Sequence, residues 1–194
     1  MHRLSASFVL GYHGCTDAVA ERLLSGAAFE KSENNFDWLG SGIYFWESNP
    51  RRGLEFAAEQ MRRRNESGHP TVVGAVVDLN FCLDLTTTAG IQQIQRGHQS
   101  LVSAATTAKT ALPANDGGAD RLRRHLDCAV INTVHKLRED AGDQPFDTVK
   151  GIFTEGGPAY ENAGFASKTH VQICVRNQDC IKGVFRVPDN QLKA

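Results

Sequence analysis

Three short segments of the chain carry side chains that could bind a ligand and act on it. The first is YHG at positions 12–14, where a histidine follows an apolar stretch and a glycine allows close approach to the backbone. The second is GSGIYFW at 40–46, and the third is THVQICV at 169–175. Taken alone, the triplet favours a structural histidine, and the neighbouring glycine weakens that interpretation.

The second segment predicts a glycine turn followed by a short aromatic strand. Strand alternation places Tyr44 and Trp46 on one face and Ile43 and Phe45 on the other. One face should belong to the core. The other face carries two rings that could stack on a planar ligand while keeping a polar group available, although aromatic core packing would give the same pattern.

The third segment predicts a strand with one polar face. Its polar face would carry His170, Gln172 and Cys174, and its other face three branched apolar residues. This strand follows the glycine-rich stretch TEGGPAYENAGFASK at 154–168, and loops of this length within a compact domain are usually functional. The polar face is therefore a candidate reaction surface.

Apolar periodicity and capping residues predict the elements that position these segments. Thr16 is expected to cap a first helix, and Asn49-Pro50 a second helix that ends near Arg64. Two further helices are predicted at 87–106 and 119–140, with the linker-like ALPANDGG between them. The predicted strands are 5–10, 43–46, 71–79, 82–85, 149–153, 171–175 and 181–187.

This order of elements predicts an α+β fold. We expect one domain over 1–194, with a helical insertion at about 87–140. The chain contains neither GxGxxG nor GxxxxGK, so the sequence does not support ordinary dinucleotide or P-loop sites.

Composition narrows the classes of function further. Twenty-one Lys and Arg residues against 22 Asp and Glu give a formal charge of −1, which argues against wholesale electrostatic binding of nucleic acid. Arg62–Arg64 is the densest basic run, and a solvated helix end explains it. The five cysteines show no CxxC pair and no metal-ligand spacing, which favours reduced thiols and no metal site. No signal peptide or apolar membrane span is visible, so we expect a cytoplasmic protein without membrane contact.

The order of the three segments resembles the ADP-ribosyltransferase family. The resemblance is to its histidine–tyrosine–glutamate branch, which includes diphtheria-type toxins, poly(ADP-ribose) polymerases and many bacterial toxins. The motif order spans nearly the whole chain, whereas the strong matches are limited to about 15 residues, chiefly YHG at 12–14 and GSGIYF at 40–45. The resemblance implies a split β-sheet core with helices packed around it, and NAD as a substrate that is consumed.

Residue by residue, the resemblance implies the NAD contacts. His13 would hydrogen-bond the adenine-side ribose, and the backbone of Gly14 would hold the nicotinamide amide. Tyr44 would stack on the nicotinamide ring, with Phe56 closing the other side, although Phe56 also fits a core position of its helix. Ser48 matches a serine that the family often carries just after this strand.

The chain departs from the family in the third segment. The family usually has a glutamate where this chain has Gln172. The amide oxygen of Gln172 can still accept a hydrogen bond from the nicotinamide ribose, but it supplies no full charge and cannot act as a base. Glu155 and Glu161, in the preceding loop, are the candidates for that duty, with a solvated loop carboxylate as the competing interpretation of each.

The resemblance implies a mono-ADP-ribosyltransferase that modifies a macromolecule, as a toxin or phage-defence effector, with an antitoxin protein as a further partner. The acceptor could be a protein side chain or a base of RNA or DNA. Arginines at 62–64 and 121–124 could contact phosphates, and Tyr160 and Phe165 could stack on a base. Two alternatives remain open: an NAD glycohydrolase that uses water as acceptor, and a catalytically silent module that binds NAD or a partner.

Overall fold

The computed structural model describes residues 8–193. Within this range the α-helices are α1 (Asp17–Leu24), α2 (Pro50–Arg64), α3 (Thr88–Ala108) and α4 (His125–Asp140). The strands are β1 (Phe8–Thr16), β2 (Ile43–Glu47), β3 (Pro70–Asp78), β4 (Cys82–Asp84), β5 (Asn115–Asp116), β6 (Arg123–Arg124), β7 (Thr148–Phe153), β8 (His170–Val175) and β9 (Ile181–Arg186).

Seven of these strands form one mixed sheet. Their order across the sheet is β4-β7-β8-β2-β1-β3-β9, and β4 and β7 are the parallel pair among otherwise antiparallel neighbours. The short strands β5 and β6 pair separately, in the connection between α3 and α4. The architecture is therefore mixed α and β with a large, mostly antiparallel sheet, in agreement with the expected α+β class.

Both faces of the sheet are covered by apolar side chains. Strand β8 shows this directly, because Ile173 belongs to one buried cluster and Cys174 to the other. The first cluster includes Leu23 of α1, and the second includes Ile131 and Val134 of α4. Helix α2 lies over β1 and β3. The sheet is thus a central layer between α1 on one side and α2, α3 and α4 on the other.

Helix capping follows the sequence closely. The hydroxyl of Thr16 accepts a hydrogen bond from the Val19 amide and starts α1, and Asn49 does the same for the Arg52 amide at the start of α2. Pro50 occupies the first helical position of α2. These predictions of helix starts are confirmed.

The first strand is longer than its sequence pattern predicts. A strand over 5–10 was expected, whereas β1 continues through the YHG triplet to Thr16, and positions 5–7 lie outside the described residues. Two glycines explain the extension, because a Cβ on Gly11 would contact the Phe45 ring and one on Gly14 would overlap the backbone of Gly53 in α2. The glycines are close-approach positions within the strand and do not end it.

The start of the fourth helix is also corrected. A helix over 119–140 was expected, but α4 begins at His125, and the preceding residues form β6 and a turn. Arg121, inside the expected helix, has a positive φ angle of 48°, which a continuous α-helix does not allow. Within residues 8–193, no helix combines the length and apolarity needed to cross a membrane.

His135 is a buried titratable side chain in the middle of α4. Its exposed fraction is 1%, and neither ring nitrogen has a hydrogen-bond partner in the described part of the chain. The Phe146 ring meets it edge-on at 5.9 Å between centroids. Burial, reinforced by Arg176 and Arg138, lowers the pKa of His135 to about 3. The folded protein therefore holds this imidazole neutral.

We expect the stability of the protein to fall as the pH drops below about 6.5. The unfolded chain then binds a proton at His135 that the folded chain excludes, which costs about 2 kcal/mol between pH 6.5 and 5. Urea denaturation at pH 7 and pH 5 measures the loss. Between pH 7 and pH 5, His135→Leu should lose less of its free energy of unfolding than wild type does. The control His98→Leu, at an exposed position, should lose as much as wild type. An equal pH dependence in wild type and His135→Leu would contradict the assignment.

Candidate functional site

The candidate site forms where the sheet opens between β1 and β2. These strands pair at two positions, Gly11 with Glu47 and Tyr12 with Trp46, and then diverge. Beyond that point β1 remains paired with β3, and β2 with β8. A cleft of about 680 Å³ occupies the opening and is lined from both diverging strands.

The cleft brings together most of the side chains singled out from the sequence. His13, Gly14, Tyr44, Phe56, Glu155 and Gln172 all line it. Ser48 and Glu161 are not among its lining residues. Residues more than 150 positions apart in the chain thus meet at one cavity, which is the size of many small-molecule sites.

His13 bridges the gap between the two diverging strands. Its Nδ1 lies 2.9 Å from the backbone oxygen of Tyr44, and because a carbonyl can only accept, Nδ1 carries the proton. The ring also packs against Phe29 and Phe45. Burial lowers the pKa of His13, against the raising effect of this hydrogen bond. The neutral ring then keeps Nε2 available as a hydrogen-bond acceptor.

Tyr44 holds the turn that precedes β2. Its hydroxyl donates to the Gly40 oxygen at 2.6 Å and accepts from the Leu39 amide at 2.8 Å. Gly40 has a φ of 76°, so this turn needs a residue that tolerates the left-handed region. Burial raises the pKa of Tyr44 well above its ordinary value. The phenol is therefore neutral and committed to the backbone, and only the half-buried ring is left for a ligand.

Phe56 and Trp46 form the next part of the wall. Phe56 projects from α2 into the cleft, and its ring lies 4.7 Å from that of Trp46 between centroids. Trp46 is only 2% exposed, so its ring is mostly covered. Of the two aromatic residues predicted to share a ligand-facing side of β2, Tyr44 is the more accessible.

A buried ion pair between Arg52 and Glu155 forms part of the cleft wall. Nη2 of Arg52 donates to both carboxylate oxygens of Glu155, at 3.0 and 2.9 Å, and the two side chains are 6% and 7% exposed. Lys168 lies 3.0 Å from Glu59 and 4.0 Å from Glu155, while Glu59 lies 3.7 Å from Arg52. The network joins α2 to both ends of the 154–168 segment.

Sequence reasoning singled out Glu155 but missed Arg52, Glu59 and Lys168. A signal for two of them was present, because Arg52, Phe56 and Glu59 follow the i, i+4, i+7 spacing that places residues on one helical face. This face of α2 borders the cleft. Lys168 is brought in only by the course of the segment before β8, which no local pattern reveals.

The glycine-rich segment 154–168 folds back on itself. The Ser167 amide donates to the Gly157 oxygen, and the Ala159 amide to the Phe165 oxygen. At the turn, Tyr160 and Phe165 are 63% and 66% exposed. Glu161 lies at the same exposed turn, away from the cleft wall. The two loop glutamates therefore differ in position: Glu155 is buried in the site and Glu161 is at the surface.

The connection between α3 and α4 supplies a wall that the sequence did not reveal. Leu122 lines the cleft, and its backbone oxygen accepts a hydrogen bond from Nε1 of Trp38 at 2.9 Å. The Arg124 guanidinium lies 4.3 Å from the Trp38 ring centroid, a cation–π distance. Asp120 accepts a hydrogen bond from the Gly156 amide. The connection between α3 and α4 therefore contributes to the site.

Ser48 lies at the opposite end of β2 from the opening. It is exposed, its amide donates to the Leu10 oxygen, and its φ of 52° marks a tight turn.

Of the basic run, Arg63 and Arg64 reach the border of the cleft. Arg123 is paired with Asp116 at 2.6 Å.

Comparison with known proteins adds one distant relative. No protein-family model matches the chain. An uncharacterized protein of Methanocaldococcus jannaschii is 24% identical over 192 residues, which cover 88% of this chain and 83% of the relative. The chain is thus similar over most of its length to a protein whose description names no activity.

We expect the Arg52–Glu155 pair to be strongly coupled. Removing one partner leaves a buried charge without its hydrogen-bonded counter-ion and with only the longer contacts to Glu59 or Lys168, so Arg52→Met and Glu155→Leu should each lower the free energy of unfolding by about 3 kcal/mol. The double variant should lose clearly less free energy of unfolding than the two single variants lose together. A double-mutant cycle measured by denaturant unfolding tests this. The exposed Arg186–Glu21 pair is the control and should show little coupling. Additive losses at Arg52 and Glu155 would contradict a direct pair.

Proposed function

We propose that the protein is an NAD-dependent mono-ADP-ribosyltransferase that acts on a macromolecule. The observation that carries the proposal is the divergence of β1 and β2, which gathers the YHG, GSGIYF and late-strand segments around one cleft. These are the three segments whose order resembles the histidine–tyrosine–glutamate ADP-ribosyltransferases. A split sheet of the kind that the family implies supports the proposal at the level of the fold.

The lining residues suit a dinucleotide. The Tyr44 and Phe56 rings offer apolar faces for the nicotinamide, and Nε2 of His13 can accept a hydrogen bond from a ribose hydroxyl. The cleft is also lined by Val19, Ala28 and Phe29, whose apolar side chains suit adenine. A volume of about 680 Å³ falls within the range of cofactor-sized pockets.

The reaction requires cleavage of the bond between nicotinamide and C1′ of its ribose. Positive charge develops at C1′ as nicotinamide leaves, and an acceptor nucleophile then attacks that carbon. Gln172 can orient the ribose with its amide oxygen but brings no net charge. A carboxylate fixed nearby lowers the energy of such an oxocarbenium-like state. We assign this role to Glu155, a buried acidic side chain that lines the cleft.

Arg52 limits what Glu155 can do. Both carboxylate oxygens are already held by the guanidinium, so the group is well oriented but has less free negative charge. To take a proton from the acceptor, Glu155 must release one of these hydrogen bonds. The acceptor itself would approach past the exposed turn that carries Tyr160 and Phe165. An aromatic surface of this kind suits a protein or nucleic-acid acceptor, consistent with a toxin or phage-defence effector that an antitoxin would hold in check.

The test is incubation with NAD labelled on its adenylate half, in the presence of cell-lysate protein and RNA fractions. Wild type should transfer label to one fraction. Tyr44→Ala should abolish turnover because the nicotinamide loses its platform. Tyr44→Phe, which keeps the ring and loses the two backbone hydrogen bonds, should retain activity in the folded fraction. Glu139→Gln, an exposed change on α4, is the matched control.

The products separate the possible outcomes. Free ADP-ribose without labelled macromolecule would indicate an NAD glycohydrolase, and unchanged NAD in every fraction would indicate a silent binding module. Glu155→Gln should reduce turnover by about 100-fold. Glu161→Gln should change the labelling of the macromolecular acceptor and leave the cleavage of NAD unchanged, since Glu161 lies outside the cleft. Full turnover in Tyr44→Ala would show that nicotinamide binds elsewhere.

A further inference from the structure

Gln172, which lines the cleft, is hydrogen-bonded to His170 on the same face of β8. Nε2 of Gln172 lies 3.1 Å from Nε2 of His170. The two residues are 7% and 4% exposed. Because Gln172 lines the cleft, its partner determines which end of its amide a ligand meets.

The backbone fixes the direction of this hydrogen bond. Nδ1 of His170 lies 2.6 Å from the Lys168 oxygen, and a carbonyl oxygen can only accept, so Nδ1 carries a proton. In a neutral ring Nε2 then has a lone pair and no proton. The group that faces it must be the amide N–H of Gln172, because an amide oxygen would meet the lone pair of Nε2.

Charged groups from three elements surround the ring. Burial is the largest influence and lowers the pKa of His170, whereas the bond to the backbone carbonyl raises it. Arg52 of α2 and Arg124, which precedes α4, lower the pKa, and Glu155 raises it. The balance keeps the imidazole neutral around pH 7.

We propose that His170 is a positioning residue that turns the amide oxygen of Gln172 toward the cleft. That oxygen has no hydrogen-bond partner among residues 8–193. It is also not one of the unpaired side-chain atoms in this range that are fully buried, so it keeps some exposure to solvent. A second proton on the ring would place an N–H opposite the Gln172 N–H group. The amide would then have to rotate and present its NH₂ end to the cleft.

The consequence for catalysis rests on the proposed function. An amide oxygen near C1′ places the negative end of a dipole beside the positive charge that develops as nicotinamide leaves. A rotated amide places the positive end there instead. The NH₂ end can still donate to a ribose hydroxyl, so ground-state binding is largely kept. Loss of the His170 acceptor should therefore lower kcat much more than it changes KM.

The orientation is measured directly by NMR with ¹⁵N-labelled histidine. At pH 7, long-range proton–nitrogen spectra should show His170 with a protonated Nδ1 and an unprotonated Nε2. The Gln172 side-chain amide, assigned by its absence in Gln172→Glu, should shift as His170 takes up a proton. A ring protonated on Nε2, or charged on both nitrogens at pH 7, would overturn the proposal. This readout does not depend on NAD.

Two substitutions separate hydrogen bonding from ring packing. The His170 ring also packs against Trp38 and Phe153, at 6.1 and 6.0 Å between centroids. His170→Phe keeps an aromatic ring and loses the acceptor, whereas His170→Gln keeps a donor and an acceptor and loses the ring. With NAD as substrate, His170→Phe should lower kcat about tenfold or more with KM changed less than about threefold. For His170→Gln, kcat should stay within about threefold of the wild-type value. The decrease of kcat at acid pH that protonation of His170 causes in wild type should be absent from this variant.

The reverse order, with His170→Phe active and His170→Gln inactive, would overturn the positioning role in favour of ring packing. Equal activity of both folded variants would overturn it as well. If wild type does not turn over NAD, the proposed function fails, and the histidine spectra still decide whether His170 orients Gln172.

Discussion

The site depends on the early separation of β1 from β2. Two residue pairs join these strands, and each strand is then held by its outer neighbour, β3 or β8. The hydrogen bond from His13 to the Tyr44 oxygen spans the gap, and the missing side chain at Gly14 lets α2 approach the β1 backbone. A fully paired sheet would close the cleft. The loss of some backbone pairing is thus the condition for a pocket in the middle of a sheet.

Helix α2 and β8 then divide the wall of the cleft between them. From α2 come Phe56, which covers Trp46, and Arg52, which orients Glu155. From β8 comes Gln172, whose amide is in turn hydrogen-bonded to a buried histidine. Two interactions that the motif residues alone do not reveal, a guanidinium–carboxylate pair and an imidazole–amide pair, therefore determine the orientation of the groups that a ligand would meet. In our proposal, fixed dipoles and a paired carboxylate take the place of a single free glutamate.

Local patterns in the sequence were sufficient to predict most of the helices and strands and part of the candidate site. The caps at Thr16 and Asn49 and the alternation in β2 are short-range properties, so the predictions from them hold. The failures have long-range causes. Strand β1 passes through Gly11 and Gly14 because distant side chains and a helix pack on them, and the start of α4 is displaced by the β5–β6 pair. Likewise, no pattern links Leu122 or Lys168 to residues more than 80 positions away.

The most direct measurement is backbone amide shift mapping with a carbocyclic NAD analogue that cannot release nicotinamide. If the split-sheet cleft is the NAD site, saturable shifts should concentrate at Gly14 in β1, at Gly42 in the turn before β2 and at Phe56 in α2, all of which line the cleft. Amides in the exposed C-terminal half of α3 should stay unchanged. Saturable shifts elsewhere, or no shifts at millimolar analogue, would contradict the assignment of this cleft to NAD.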